Sequence, residues 1–566
     1  MSIFKKLGKI KYNKTTTVDR IDFTKIINGQ NNFDEYIIYK SKDQIKIYNR
    51  ICDHAGGKII TKNNENICPM HNWNFNPVTG FYTNGVKKKE IKFIKNKKYI
   101  LINKDNLKPE IKNFSNKNNK TIIRFFNHAF LNITGDNFSF STDPWAIGPA
   151  FNTGWWLKHK TKNDWIERLN NSNFIYISHN HPDHLHPLTL SKIDKNIPIV
   201  VPKFISDSTG IFMEDLGFKN IIRLEFEQQF NLQGTELIFS ILKSGDFRED
   251  SGIYFSNGNF SSLFDVDSNM INFEKLPTVD LYGSSFAGGA SGYPLMFENY
   301  TRKEQTQIGI KNKNFLKIKK FENLKKIKPK YFSPYAGFFE ETLKRDLRIK
   351  KNNQKNMILD YKKFCENKNI KLLNFEKNDN YIFKGSKLKI SQEINRDYFI
   401  DIDSEKYLDY YKREYDKIDY KYIKKYFVDS NFKEKLFLYI ILTDDNFNPS
   451  NVCFFIDFSK GKIIFRKIKK IIEKNALKNE KNRVLILKIR KESFLNTIYN
   501  KLPWEDLAIG FQCKIVRNIN IYNVNFWHHF TNIYITQKNV RLSSKCNSCF
   551  KLSEFFDQNT YQNKIL

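Results

Sequence analysis

The 566-residue sequence contains no run of about 18 apolar residues, so no helix that crosses a membrane is expected. Its opening stretch lacks the apolar segment of a secretory signal, and a cytoplasmic protein without membrane insertion is expected. Cysteine is sparse: seven, an odd number, scattered at Cys52, Cys68, Cys365, Cys453, Cys513, Cys546 and Cys549. That pattern argues against a disulfide framework and leaves metal ligation as the better use for some of the thiols. No Gly-x-Gly-x-x-Gly follows a strand pattern, so the chain is not expected to take electrons from a nicotinamide itself. Acidic residues are few beside basic ones, 60 against 94, for a formal net charge of +34. The lysines are spread through an Asn- and Ile-rich chain instead of forming one basic arm, so no nucleic-acid partner is expected. The positive field would still help to collect an anionic small substrate.

No internal repeat is present, and the length calls for about three compact units. Residues 1–110 read as a small all-β unit, with strand patterns such as Tyr36–Tyr39, Ile45–Tyr48 and Tyr99–Ile102 between turn signals. An Asn-, Lys- and Pro-rich linker follows. In residues 121–345, strand patterns (Thr121–Phe126, Phe174–Ile177, Ile197–Val201) alternate with helical ones (Asp164–Leu169), which predicts layered α/β structure. Residues 346–566 form a third, α/β region of unknown fold, with Leu436–Leu442 and Val484–Ile489 as strands.

Two boxes in the first unit carry chemistry: Cys52-Asp53-His54 and, thirteen residues on, Cys68-Pro69-Met70-His71. The spacing resembles that of Rieske centres, in which two thiolates hold one iron of a [2Fe–2S] cluster and two imidazoles the other. Zinc also takes two Cys and two His, but zinc fingers present them as separate pairs. Cys52, His54, Cys68 and His71 are therefore the expected cluster ligands. The second constellation is Ser178-His179-Asn180-His181-Pro182-Asp183-His184, placed directly after an apolar strand. It resembles the metallo-β-lactamase signature: His179 and His181 project together from a strand end toward one metal, and Asp183 and His184 turn toward a second. Asp267, in Asp265-Val266-Asp267, is the expected bridging carboxylate. Two features depart from that pattern. No histidine lies between His186 and His528, and Asp246 or Asp250 is a candidate replacement for a missing ligand. His128 is either a group that orients a ligand or a core histidine; His159, His186, His528 and His529 are expected to be structural.

A zinc hydrolase leaves an electron donor on the same chain idle, so the pairing favours non-haem iron, one or two ions, with O2 as co-substrate. The order of the boxes, together with segments such as Asp143–Phe151, Gly154–Leu157, Phe286–Pro294, Pro334–Phe338 and Leu502–Gln512, resembles the CMP-N-acetylneuraminate hydroxylase family. The resemblance implies an α+β multidomain protein: a Rieske domain, a central αββα metallo-β-lactamase-like domain and the C-terminal region. It also implies hydroxylation of the N-acetyl methyl of a CMP-activated sialic acid or a related CMP-sugar. Electrons would come from an external protein, cytochrome b5-like or a ferredoxin, with its NAD(P)H reductase. Two alternatives stay open: a zinc hydrolase with a redox-regulatory Rieske centre, and a non-catalytic electron carrier. The Gly288–Gly292 loop is a candidate for phosphate or sugar contact or an ordinary turn, Trp155 and Trp156 could stack on a nucleobase but are expected in the core, and Cys546 with Cys549 lacks a second pair to make a zinc site.

Overall fold

The computed structural model describes residues 3–9, 12–42, 44–53, 59–62, 64–68, 73–83, 85–109, 120–204, 206–244, 249–268, 271, 276, 279–393, 398–399, 402–469, 477, 482–520 and 522–534. Among these, no helix is long and apolar enough to cross a membrane.

The N-terminal region is antiparallel throughout. One sheet holds Gly29–Asn32, Tyr36–Lys40 and Ile45–Asn49, a second runs from Ile60–Lys62 to Phe81–Tyr82, and a third pairs Phe93–Lys95 and Tyr12–Asp22 with Tyr99–Pro109. Ile37 and Ile38 are both fully buried, so the central strand is covered on both faces. The tight turn after Asn74–Asn76 closes on Gly80 (φ 79°), whose N–H donates to the Asn76 carbonyl. A Cβ at Gly80 would also lie 2.9 Å from the Tyr48 hydroxyl, so this corner requires glycine.

The first strand lies outside these N-terminal sheets. The strand Phe4–Lys9 pairs with Gln228–Leu232 of the central region, because Phe4 is buried edge-on against Phe174 and Phe239, each centroid 5.2 Å away.

The central region is two eight-stranded sheets packed face to face. Their shared core is aromatic: Phe140 and Phe174 stack at 5.0 Å, and Phe255 meets Phe140 edge-on at 5.2 Å. The helices Trp165–Asn170 and Ser208–Asp215 and the long helix Arg302–Ile327 complete an αββα sandwich. The sheets run past residue 345. Lys371–Leu372 adds to one edge, and the hairpin Asn378–Lys384/Lys387–Glu393 adds to the other through Lys120–Asn127. The period-two burial of Asp379, Tyr381 and Phe383 explains that pairing, which the surrounding Lys and Asn obscure in the sequence.

The C-terminal region is a five-stranded sheet in the order Ile464–Ile468, Pro449–Asp457, Leu436–Thr443, Arg483–Arg490, Cys513–Asn518, with helices that include Ser404–Glu414, Lys491–Tyr499 and Glu505–Ile509. It locks onto the central region at a backbone contact. A Cβ on Gly154 would lie 2.0 Å from the Gly510 carbonyl oxygen, and one on Gly510 2.1 Å from that of Phe151. Buried ion pairs flank the contact: Arg345 with Glu492 (2.5 Å) and Asp445 (2.6 Å), and Arg490 with Asp346 (2.8 Å).

Candidate metal centre and cluster site

Ser139–Thr142 and Phe174–Tyr176 run parallel, so both strands end on one rim of the sandwich. Asp143 lies just past the first end in a left-handed conformation (φ 39°). Its carboxylate accepts from the Ser178 N–H and hydroxyl, both at 2.7 Å, which fixes the turn into the histidine box. Its Oδ2 also lies 3.0 Å from His184 Nδ1, an arrangement that turns His184 Nε2 inward. Ser178 Oγ sits 2.9 Å from His179 Nδ1 and orients that ring in the same way. On the opposite sheet, Asp265 is buried against Lys320 and accepts from the Tyr282 hydroxyl (2.6 Å), while Val266 turns at φ 53° and leaves Asp267 on the rim.

Two donor groups converge there, each with its ligand atoms within 4.8 Å of one another: His179, His181 and Asp267; and His128, Asp183 and His184. They adjoin, since His184 Nε2 is 3.3 Å from Asp183 Oδ2 and 3.7 Å from Asp267 Oδ2. His128, at φ 41° between two strands, brings Nε2 to 3.1 Å from Asp183 Oδ2. Asp183 Oδ1 and His184 Nε2 are buried without a hydrogen-bond partner. Unsatisfied donor atoms amid four imidazoles and two carboxylates fit a pair of divalent cations.

Charge at the site follows from burial and neighbours. Burial, with the His184 and His181 rings beside it, holds His179 well below the usual imidazole range. Burial also works against a charged His181, but Glu505, Asp250 and Asp183 outweigh it and raise the ring to about 9. Burial opposes ionisation of Asp183, yet His184 and His128 hold its carboxyl well below the usual range.

At the cluster boxes Cys52 and Cys68 are buried beside Trp73, Phe75 and Tyr82. The Cys68 N–H donates to the Trp73 carbonyl (2.9 Å) and closes that loop. Lys88, its amine buried, bonds Asp53 (2.9 Å), which also accepts from Tyr82 (2.8 Å). His54 and His71 lie outside the described residues, as do Asp246, Cys546 and Cys549.

The remaining candidates separate clearly. Asp250 lines a cavity with His181 and Glu505. His186 is structural: Nδ1 accepts from the Thr189 N–H (3.1 Å) and Nε2 donates to the Pro149 carbonyl (3.0 Å). His529 donates to the Ser430 carbonyl, whereas His528 lines the cavity beside Glu505. Trp155 and Trp156 are core residues, each 3 % exposed. The Gly288 loop lines a separate 210 Å³ cleft with Arg302 and Arg348. Sequence reasoning missed Glu505, 3.8 Å from His181 Nε2, and assigned His128 no ligand role. Nothing local marks either one, because each reaches the site only through folding.

Residues 9–95 match the Rieske [2Fe–2S] domain family. Among curated proteins, the cytidine monophosphate-N-acetylneuraminic acid hydroxylase of Macaca mulatta is 29 % identical over 553 residues, covering 88 % of each chain. That of Mus musculus is 29 % identical, covering 88 % of this chain and 90 % of the relative. The Xenopus laevis protein is 28 % identical over 545 residues, with 88 % of each chain covered. Among solved structures, CmlA, a diiron beta-hydroxylase from Streptomyces venezuelae, aligns with 49 % of this chain and 55 % of its own at 14 % identity and a TM-score of 0.32. The isothiocyanate hydrolase from Delia radicum gut bacteria aligns with 48 % of this chain and all of its own at 11 % identity, also with a TM-score of 0.32.

The N-terminal unit is thus a Rieske domain that carries a [2Fe–2S] cluster, and the chain is a Rieske-type monooxygenase, an enzyme that needs an electron-transfer partner and a small-molecule substrate. More particularly, it is a homologue of the CMP-N-acetylneuraminic acid hydroxylases along nearly nine-tenths of its length.

Proposed function

We propose that this enzyme, in the cytoplasm, hydroxylates the N-acetyl methyl of a CMP-activated sialic acid or a related nucleotide sugar. Electrons would come from a cytochrome b5-like protein or a ferredoxin with its NAD(P)H reductase. The observation that carries the proposal is a Rieske domain on the same chain as two adjoining donor groups. Cys52, His54, Cys68 and His71 would hold the cluster; His179, His181 and Asp267 would hold one non-haem iron, and His128, Asp183 and His184 a second. When bound, such iron supplies the redox chemistry that activates O2, fed by electrons from the cluster.

The protein's own residues prepare the pocket. Asp143 and Ser178 fix the rings of His184 and His179 with Nε2 inward, so each offers a lone pair instead of an N–H. Trp155 stacks on Phe339 at 3.6 Å, and Trp145 meets His128 edge-on at 5.3 Å, a wall that keeps water off one side of the site. Glu505, from the C-terminal region, draws the His181 ring toward the cavity.

Purified protein incubated with reductant, O2 and a panel of CMP-sugars tests the proposal by mass spectrometry. A gain of one oxygen on a CMP-linked N-acetylated nonulosonic acid is expected. No gain on any nucleotide sugar contradicts it.

A further inference from the structure

A cleft of 340 Å³ opens beside the histidine box, where the C-terminal region meets the central sandwich. One wall is Asn180 and Pro182 of the box itself, so the cleft and the metal centre share a loop. A row of tyrosines at helical spacing on Ser404–Glu414 and its C-cap also lines it: Tyr407, Tyr411 and Tyr415 on one face, with Tyr410 beside them. Tyr410 is 58 % exposed, a large aromatic surface left uncovered at the lip.

Strained backbone also lines the cleft. Phe151, Asn152 and Thr153 take φ of 51°, 52° and 73°, three consecutive non-glycine residues in the left-handed region. Such strain persists only where surrounding structure enforces it. Here Tyr411 and Asn496 both donate to Asn152 Oδ1, at 3.0 and 2.7 Å, and the Gly154–Gly510 contact closes the turn.

Asp506 also lines the cleft, 4 % exposed, with Oδ1 buried and unpartnered. An orphan acceptor in a cleft is completed by a ligand that brings a hydrogen-bond donor. Among the described residues that line this cleft there is no Lys or Arg, and Glu414 and Asp506 are acidic, so it does not suit a phosphate. It suits a flat, uncharged ring with an amine on its edge.

We propose that this cleft seats the nucleobase of the substrate, an aminopyrimidine stacked on Tyr410 whose ring amine donates to Asp506; the proposal rests on the nucleotide-sugar reading above. Stacking on an aromatic side chain is a general mode of base recognition, and a carboxyl oxygen, ionised or not, accepts from the exocyclic amine of cytosine. The C-terminal region then has a defined role, to carry half of the base pocket to the metal centre.

Calorimetric titration of the full-length protein with cytidine monophosphate and with uridine monophosphate tests this. The cytidine nucleotide is expected to bind at least tenfold tighter, because uracil has a carbonyl where cytosine has the amine. Asp506→Asn and the surface variant Tyr410→Ala are each expected to weaken cytidine nucleotide binding at least tenfold. Unchanged affinity in both variants overturns the inference, as does a loss on Arg348→Met in their place, which would put the base in the Gly288 cleft. An enzyme that oxidises a nucleotide sugar yet keeps its affinity in both variants sinks this inference alone. One that binds the cytidine nucleotide as predicted but oxidises nothing supports the pocket and sinks the proposed reaction.

Discussion

Asp143 and His128 do at the residue scale what the histidine box cannot do for itself. Loss of a carboxylate that orients a ligand typically costs about 10–100-fold in metal affinity, and Asp143→Asn is expected to fall in that range. His128→Ala removes a donor from one group only, so metal analysis is expected to show about one equivalent lost while the Rieske absorption stays. The box itself is legible in the sequence because its candidate ligands are neighbours in the chain and follow a strand. His128 is not, because its approach to Asp183 depends on a hairpin turn and on two sheets meeting at one rim. Glu505 is hidden for the same reason.

His529 gives a pH test at the same scale. Burial lowers it to about 4 from the ordinary imidazole value of about 6.5, so the folded state binds its proton less readily than the unfolded chain does. Its contribution to stability is therefore present above pH 6.5 and lost as pH falls from there toward 4. The full shift corresponds to about 3 kcal/mol. Thermal melts across that window are expected to lose part of their pH dependence in His529→Gln.

Among the elements, the Gly154–Gly510 contact makes the sharpest demand. A methyl group on either residue meets backbone oxygen at 2.0–2.1 Å, and neither side can yield as a side chain would. Gly154→Ala is expected to cost about 1–3 kcal/mol or more and to expose the C-terminal region to limited proteolysis ahead of the central sandwich. Most central strands are visible as apolar runs, and Trp165–Asn170 as a helical pattern. The hairpin Asn378–Glu393 and the strand Phe4–Lys9 are not, because long-range pairing sets their partners and the Lys-rich composition masks their alternation.

For the whole molecule, the two candidate centres are separate in construction, and the proposed function joins them. Cys52 and Cys68, proposed to hold the cluster, sit in a small antiparallel unit, and the donors proposed for iron sit on the rim of the sandwich. His181→Ala is accordingly expected to abolish oxidation of substrate and to leave the paramagnetic signal of the reduced cluster unchanged. Loss of both signals together would mean misfolding, and retained turnover would remove His181 from the site. Metal analysis of the wild type is expected to find iron well above zinc; the reverse would favour hydrolysis.

The reaction run under ¹⁸O2 with a CMP-linked N-acetylated sialic acid, reductant and an electron-transfer protein is decisive. One labelled oxygen in an N-glycolyl product is the expected result; an oxidised product that carries no label would contradict oxygenase chemistry at this site.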